Sequence, residues 1–355
     1  MSRPIRLAIN GYGRIGRCFL RALHESPLKN KFQIVAINEP ADLESMVYLT
    51  HFDSTHGVFS GQVGQGPDCL IIDGQEIHVS HAQTPEGVDW ARHEIDLLVE
   101  CSGRYGLRDE LTRFVDAGCP RLLLSHPGHS AQDVDFTMIY GVNHEKLKGD
   151  ERIVSNASCT TNAIVPVLDQ LHRAFGVEQV YLTTLHSVMN DQPLIDGYHH
   201  SDLRRNRSAM QSIVPVATGL AQGVVRFLPQ LAGKVQAKAI RVPTLNVSAI
   251  DLVANLERNA DVHAINSLLK AAAAKQPGLL AYSDAPHASV DFNHDPHSAV
   301  IDGSQTRVNG PRFANVFVWF DNEWAFACRL LDALQAWSVR CPAMGQTPKH
   351  TLESV

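Results

Sequence analysis

The chain has no Cys-x-x-Cys pair, no apolar run approaching the roughly 18 residues of a membrane helix, and no surplus of basic residues. Each absence removes a class of protein. Seven cysteines, at positions 18, 69, 101, 119, 159, 328 and 341, leave an odd number without ligand spacing. That pattern argues against a disulfide framework or a structural zinc site and suits a reducing cytoplasm. The histidines are plentiful but scattered. His199-His200 and the segment His294-Asp295-Pro296-His297 have no metal-ligand motif around them, so no metal is expected. A formal net charge of −6 gives no general attraction to nucleic acid or to anionic lipid, and neither is an expected partner. The first residues run into a predicted strand without a signal-peptide core, which makes the cytoplasm the expected location. What remains, 355 residues that are 44% hydrophobic, is a globular composition with room for two domains.

The clearest local pattern lies at the N-terminus. Residues 5–10 read as a strand, followed by Gly11-Tyr12-Gly13-Arg14-Ile15-Gly16 and a helix-like stretch. A lone G-x-G-x-x-G is weak evidence, but the next apolar run, residues 34–37, ends in Asn38-Glu39. That places an acid about 20 residues past the last glycine, as in dinucleotide-binding folds. Gly11, Gly13 and Gly16 permit a tight turn and close approach to a pyrophosphate, and Glu39 suits the adenine ribose hydroxyls. A carboxylate would repel a 2′-phosphate, so NAD is expected rather than NADP.

Further along, residues 70–72 and 77–79 predict a hairpin around Asp73-Gly74, and residues 96–101 and 121–125 predict buried parallel strands. Residues 107–117 read as a helix stopped by Gly118. The expected fold is α/β: a doubly wound, Rossmann-type parallel sheet over residues 1–158, completed by a C-terminal helix over 324–340. Residues 159–323 form a second, catalytic domain of α+β type with a mostly antiparallel or mixed sheet, because longer strands at 179–187, 234–242, 247–256 and 313–320 cluster there. Residues 188–217 show no periodicity, and a loop of that length in a compact domain is usually functional. The tail after Pro342 is expected to be disordered.

Cys159 opens the second domain. It follows Ser155-Asn156-Ala157-Ser158, and Ile164, Val167, Leu168, Leu171 and Phe175 recur behind it at helical spacing. A thiol in the first turn faces unpaired N–H groups and the positive end of the helix dipole, so a lowered pKa is expected. Pro166 is an irregularity that could kink the helix. His186, at the end of a predicted strand, is the candidate base; a lone strand histidine is more often structural, but one accompanied by a helix-start cysteine is a better candidate. A thiolate with NAD points to aldehyde oxidation through a hemithioacetal and a thioester, discharged by water or phosphate. Arg205 and Arg241, with Thr218 and Gly219, are candidates to hold a substrate phosphate.

Five segments, residues 10–17, 53–57, 155–162, 241–244 and 321–324, resemble in order the motifs of the glyceraldehyde-3-phosphate dehydrogenase family. The resemblance runs over nearly the whole chain. It implies Cys159 as nucleophile, His186 as its activator, and Asn322 as anchor of the nicotinamide amide. Arg14 and Ile15 would line the pyrophosphate and Ser125 would lie near the nicotinamide ribose. Ser158, Thr160, Arg205, Thr218, Gly219 and Arg241 would surround two anion positions. A sugar-phosphate aldehyde as substrate and a homotetramer are likewise implied. Several positions depart from the family pattern. Met189 stands where glycolytic members carry a phosphate-binding threonine, and a thioether offers no donor, so one anion position is expected to be weakened and water to become the acyl acceptor. Phe326 replaces a common tyrosine, His294 a common glycine, and Gln83 lies near a common arginine on the adenine side. Phosphorylating activity is the alternative expectation, and a noncatalytic NAD-binding or thiol-sensing protein is the reading from another class.

Overall fold

The computed structural model describes residues 3–199, 202–341 and 344–346. His200 and the tail after Pro342, apart from residues 344–346, lie outside the described residues. The chain divides into two compact units: residues up to 138, 144–156 and 330 onward in one, and residues 139–143 and 157–329 in the other. Residues 139–143 thus depart from the sequence-based division at 158. The reason is burial: Ile139 is fully enclosed in the second unit's core, and Gly141 faces Leu279 so closely that a Cβ would lie 2.2 Å from it. The last helix, Trp324–Arg340, was expected wholly in the first domain; its residues up to 329 belong to the second unit.

In the first unit, strand Ile5–Asn10 is flanked by Phe32–Asn38 and Leu97–Glu100, both parallel to it. Leu122–Leu124, Ile153–Ser155 and Phe136–Thr137 extend the parallel run on one side, and Gln75–Ser80 extends it on the other. Antiparallel Cys69–Ile72 and Val63–Gly66 complete that flank. Leu97, Leu98 and Val99 and the residues of Leu122–Leu124 are all buried, which explains their continuous apolar sequence. The predicted hairpin forms: Asp73 and Gly74 have φ of 49° and 81°, the two positive values of a type I′ turn. From strand Ile5–Asn10 the sheet is built outward in both directions, and such a reversal leaves a crevice beyond the carboxyl ends of the strands.

The second unit carries a seven-stranded mixed sheet. Val177–His186 lies between the parallel Val235–Arg241 and the antiparallel Ser248–Leu256. Phe313–Phe320, Ala299–Asn309 and Leu280–Ser283 follow on one side, and Val214–Val216 forms the opposite edge. Behind the sheet, helix Cys159–Phe175 buries Ile164, Val167, Leu168 and Leu171 in the core and runs through Pro166 without ending. Segment 188–217 is less featureless than its sequence: it contains the helical turn Leu203–Asn206 and the edge strand Val214–Val216.

Candidate active site

Three strand ends and one loop build the crevice of the first unit. Asn10, Gly11 and Gly13 come from the first strand, Asn38 and Glu39 from the second, Gln83 from the segment after Gln75–Ser80, and Ser102 and Arg104 from beyond Leu97–Glu100. Gly11 has φ of 86°, and a Cβ there would lie 2.5 Å from the Ser102 backbone. A Cβ on Gly16 would meet the Gly11 carbonyl oxygen at 2.4 Å, whereas one on Gly13 would point into open space. Two glycines are therefore fixed by packing, and the third leaves exposed backbone for a ligand to approach.

Glu39 accepts the Tyr12 N–H at 2.7 Å and the Ala41 N–H at 3.2 Å, so it also holds the glycine loop in place. Its two oxygens retain lone pairs for ribose hydroxyls. Arg14 opens helix Arg14–Glu25, with Ile15 beside it, and pairs with Asp53. Burial works against ionisation of Asp53, but Arg14 and the His56 and Thr55 N–H groups outweigh it and hold the carboxyl down at about 2. Ser125 lies just past Leu122–Leu124, donates its N–H to the Glu100 carbonyl at 3.0 Å, and is not among the residues lining the crevice.

Glu100 carries no motif and was missed by sequence reasoning. Its carboxylate is fully buried, receives the Asn10 amide at 2.5 Å and the Ser102 N–H at 2.6 Å, and ties two sides of the crevice together. Burial pushes its pKa up to about 7, against the opposing pull of the Ser102 and Asn10 hydrogen bonds.

In the second unit, Ser158 caps helix Cys159–Phe175. Its hydroxyl accepts the Thr161 N–H at 3.1 Å, while its own N–H donates to the Thr161 hydroxyl at 2.9 Å. Ala157, immediately before, has φ of 57°, an uncommon value for a residue with a Cβ. That turn aims Cys159 at the end of strand Val177–His186. Sγ of Cys159 lies 3.8 Å from Nε2 of His186. Nδ1 of His186 is 2.9 Å from the Ser187 carbonyl oxygen, which can only accept, so Nδ1 carries the proton and Nε2 offers its lone pair to the thiol.

The expected low thiol pKa is not what this environment produces. Burial pushes Cys159 up to about 11, although the Thr160 N–H and the Arg241 charge pull the other way, and burial pushes His186 down to about 4. Both groups are therefore held neutral, and the geometry fits proton transfer from Sγ to Nε2 as the sulfur attacks. Phe326, buried, shares a small void with Cys159 and adds to its apolar surroundings.

Arg241 pairs in register with His186 on the neighbouring parallel strand, which brings it to the same end of the sheet. It and Arg205 meet at one carboxylate, that of Asp191. Thr160 lies beside Ser158, its hydroxyl 3.0 Å from that of the cap. Thr218 and Gly219 start helix Leu220–Phe227, where the Thr218 hydroxyl accepts the Leu220 N–H at 3.2 Å. Met189 is exposed, whereas Asn322 is buried. The Asn322 carboxamide oxygen accepts from the hydroxyls of Ser187 at 3.0 Å and Ser248 at 2.7 Å, so its NH₂ group is left as the outward donor. Ser187 and Ser248 gave no sequence signal because their role depends on cross-strand placement.

A Rossmann-type crevice of this form and a second unit with a helix-start thiol beside an imidazole define the class, a two-domain NAD-dependent dehydrogenase. Residues 5–108 match the family described as glyceraldehyde 3-phosphate dehydrogenase, NAD binding domain, and residues 158–322 match glyceraldehyde 3-phosphate dehydrogenase, C-terminal domain. The chain belongs to the glyceraldehyde 3-phosphate dehydrogenase family. NAD is accordingly its cofactor, and the open backbone at Gly13 with the free lone pairs of Glu39 fits that group.

Proposed function

We propose that this chain is a D-erythrose-4-phosphate dehydrogenase, which oxidises the four-carbon aldehyde to 4-phosphoerythronate and discharges its thioester with water. Cys159 attacks the aldehyde carbon, and its proton passes by way of His186 to the carbonyl oxygen, giving a hemithioacetal. NAD, when bound, supplies the hydride acceptor. As the hydride leaves carbon, Nε2 of His186 takes the hydroxyl proton and a thioester remains on Cys159. His186 releases that proton to solvent, and its freed Nε2 then takes a proton from the water that attacks the thioester carbon; as the carbon–sulfur bond breaks, the Cys159 thiolate takes the proton back from Nε2 and the acid product leaves and ionises.

In this reading Gly11, Gly13, Gly16, Arg14 and Ile15 support the cofactor pyrophosphate, Glu39 and Gln83 its adenosine side, and Ser125 and Asn322 its nicotinamide side. Ser158, Thr160, Arg205, Thr218, Gly219 and Arg241 receive phosphate groups. Met189 is the observation that carries the hydrolytic step, because an exposed thioether three residues past His186 supplies no donor to an attacking phosphate. The cationic pair Arg205 and Arg241 favours the second reading, a phosphorylating glyceraldehyde-3-phosphate dehydrogenase. With 4-phosphoerythronate as product, the enzyme would serve pyridoxal 5′-phosphate synthesis in the cytoplasm.

NADH formation with erythrose 4-phosphate and with glyceraldehyde 3-phosphate, each with and without inorganic phosphate, separates these readings. Phosphate-independent oxidation of the four-carbon substrate is expected. Strict phosphate dependence with preference for the three-carbon substrate would overturn the proposal, and no turnover with either would favour a noncatalytic role. Met189→Thr should raise phosphate-dependent oxidation of glyceraldehyde 3-phosphate relative to erythrose 4-phosphate. An unchanged ratio would remove Met189 from the specificity argument.

A further inference from the structure

Four adjacent parallel strands of the first unit, Leu97–Glu100, Ile5–Asn10, Phe32–Asn38 and Gln75–Ser80, end on polar residues that stand opposite one another. Glu100 is paired in register with Asn10, Asn10 with Asn38, and Asn38 with Ser80. Glu100, Asn10 and Asn38 are all buried, and their side chains form one hydrogen-bond ladder across the crevice. The Asn38 carboxamide oxygen accepts the Ala82 N–H at 2.9 Å and the Ser80 hydroxyl at 3.0 Å. The Asn38 NH₂ group donates to the Asn10 carboxamide oxygen at 2.8 Å and to the Ala82 carbonyl at 3.1 Å. The Asn10 NH₂ group donates in turn to one oxygen of Glu100, whose other oxygen accepts the N–H and the hydroxyl of Ser102. Both ends of the ladder thus meet a backbone N–H, which can donate but never accept. Turning either carboxamide round would set an NH₂ group against another donor. The side chain at position 100 must therefore accept on both of its terminal atoms, which a carboxylate does and a carboxamide does not.

We propose that Glu100 is a positioning residue for the cofactor: its carboxylate sets the direction of the ladder through Asn10 and Asn38 and so holds the two walls of the crevice at the separation that admits NAD. One wall is Ala82 and Gln83, tied to Asn38; the other is Ser102, Arg104 and Tyr105, tied to Glu100 through Ser102. Apolar side chains would close these strand ends with less desolvation, as Leu97, Leu98 and Val99 do immediately before. A fully paired polar ladder instead imposes fixed lengths and directions, which suits a gap that must keep its width while empty. The inference concerns the cofactor side alone and holds for either aldehyde.

The test is calorimetric titration of the full-length protein with NAD, at about pH 8 and without aldehyde, for the wild type, Glu100→Gln, Asn10→Asp and the double variant carrying both. All the substitutions keep side-chain shape. Glu100→Gln sets an NH₂ group against a donor, and Asn10→Asp sets two carboxylates against each other. Each single variant should bind NAD at least about tenfold more weakly than the wild type. In the double variant the Gln side chain donates to the new carboxylate at position 10, which also accepts from Asn38, so every donor again meets an acceptor. It should bind NAD at least about fivefold more tightly than either single variant and within about tenfold of the wild type. Undiminished affinity in Glu100→Gln overturns the proposal. So does a double variant outside that tenfold range, a comparison with the wild type that stands even where a single variant does not fold.

Discussion

Cys159 and His186 illustrate how a single environment sets two groups against their ordinary titration. Burial raises the thiol to about 11 and lowers the imidazole to about 4, so near neutrality the pair is uncharged and the sulfur depends on Nε2 to take its proton. Alkylation of Cys159 by iodoacetamide should accelerate as pH rises toward that value. His186→Asn should slow alkylation at pH 7 by about tenfold or more, and an unchanged rate would exclude His186 as the activating base. Glu100 gives a second signature. Its folded pKa, about 7, lies above the 4.5 of a free side chain, so the folded protein holds the proton more tightly. The associated stability is fully present below pH 4.5 and is lost as pH rises through 7, amounting to about 3 kcal/mol. Glu100→Gln mimics the protonated form, so its stability relative to the wild type, read by urea unfolding, should increase across that window. A constant difference would show that Glu100 does not titrate there.

At the scale of elements, the strand–loop–helix of residues 5–25 has the least freedom. Gly11 combines φ of 86° with a backbone neighbour 2.5 Å from where a Cβ would stand. Gly11→Ala must therefore displace either the glycine loop or the Ser102 segment, and NAD affinity, followed by quenching of tryptophan fluorescence, should fall by about tenfold or more. Wild-type affinity in that variant would show that the close approach is not required. This element was legible because its glycines, its buried strand and Glu39 all constrain the same turn. Strand Ala299–Asn309 was not legible: Asp302, Gly303, Ser304 and Gln305 interrupt its alternation, and its register shifts there against Phe313–Phe320. Cross-strand pairing, which is tertiary, keeps it in the sheet.

At the scale of the whole molecule, segment 188–217 exposes Leu194, Ile195, Tyr198, Leu203 and Ile213 together with its charged residues. So many large apolar side chains on one segment suit contact with further copies of the chain. Light scattering should give a homotetramer, four times the 39.0 kDa of one chain; a monomer at micromolar concentration would contradict this. No helix among the described residues is long and apolar enough to cross a membrane.

The sequence by itself determined the α/β class, the glycine crevice with its acid, and the helix-start cysteine. Those features are local: strand period, φ preference and a capping residue act within a few positions of one another. Only the tertiary structure decided that His186 meets Cys159 at 3.8 Å, that burial holds both neutral, that Ser187 and Ser248 orient Asn322, and that Asp191 sits between Arg205 and Arg241. Sheet order and burial join residues far apart in the chain, and desolvation depends on everything packed around a group rather than on its neighbours in sequence.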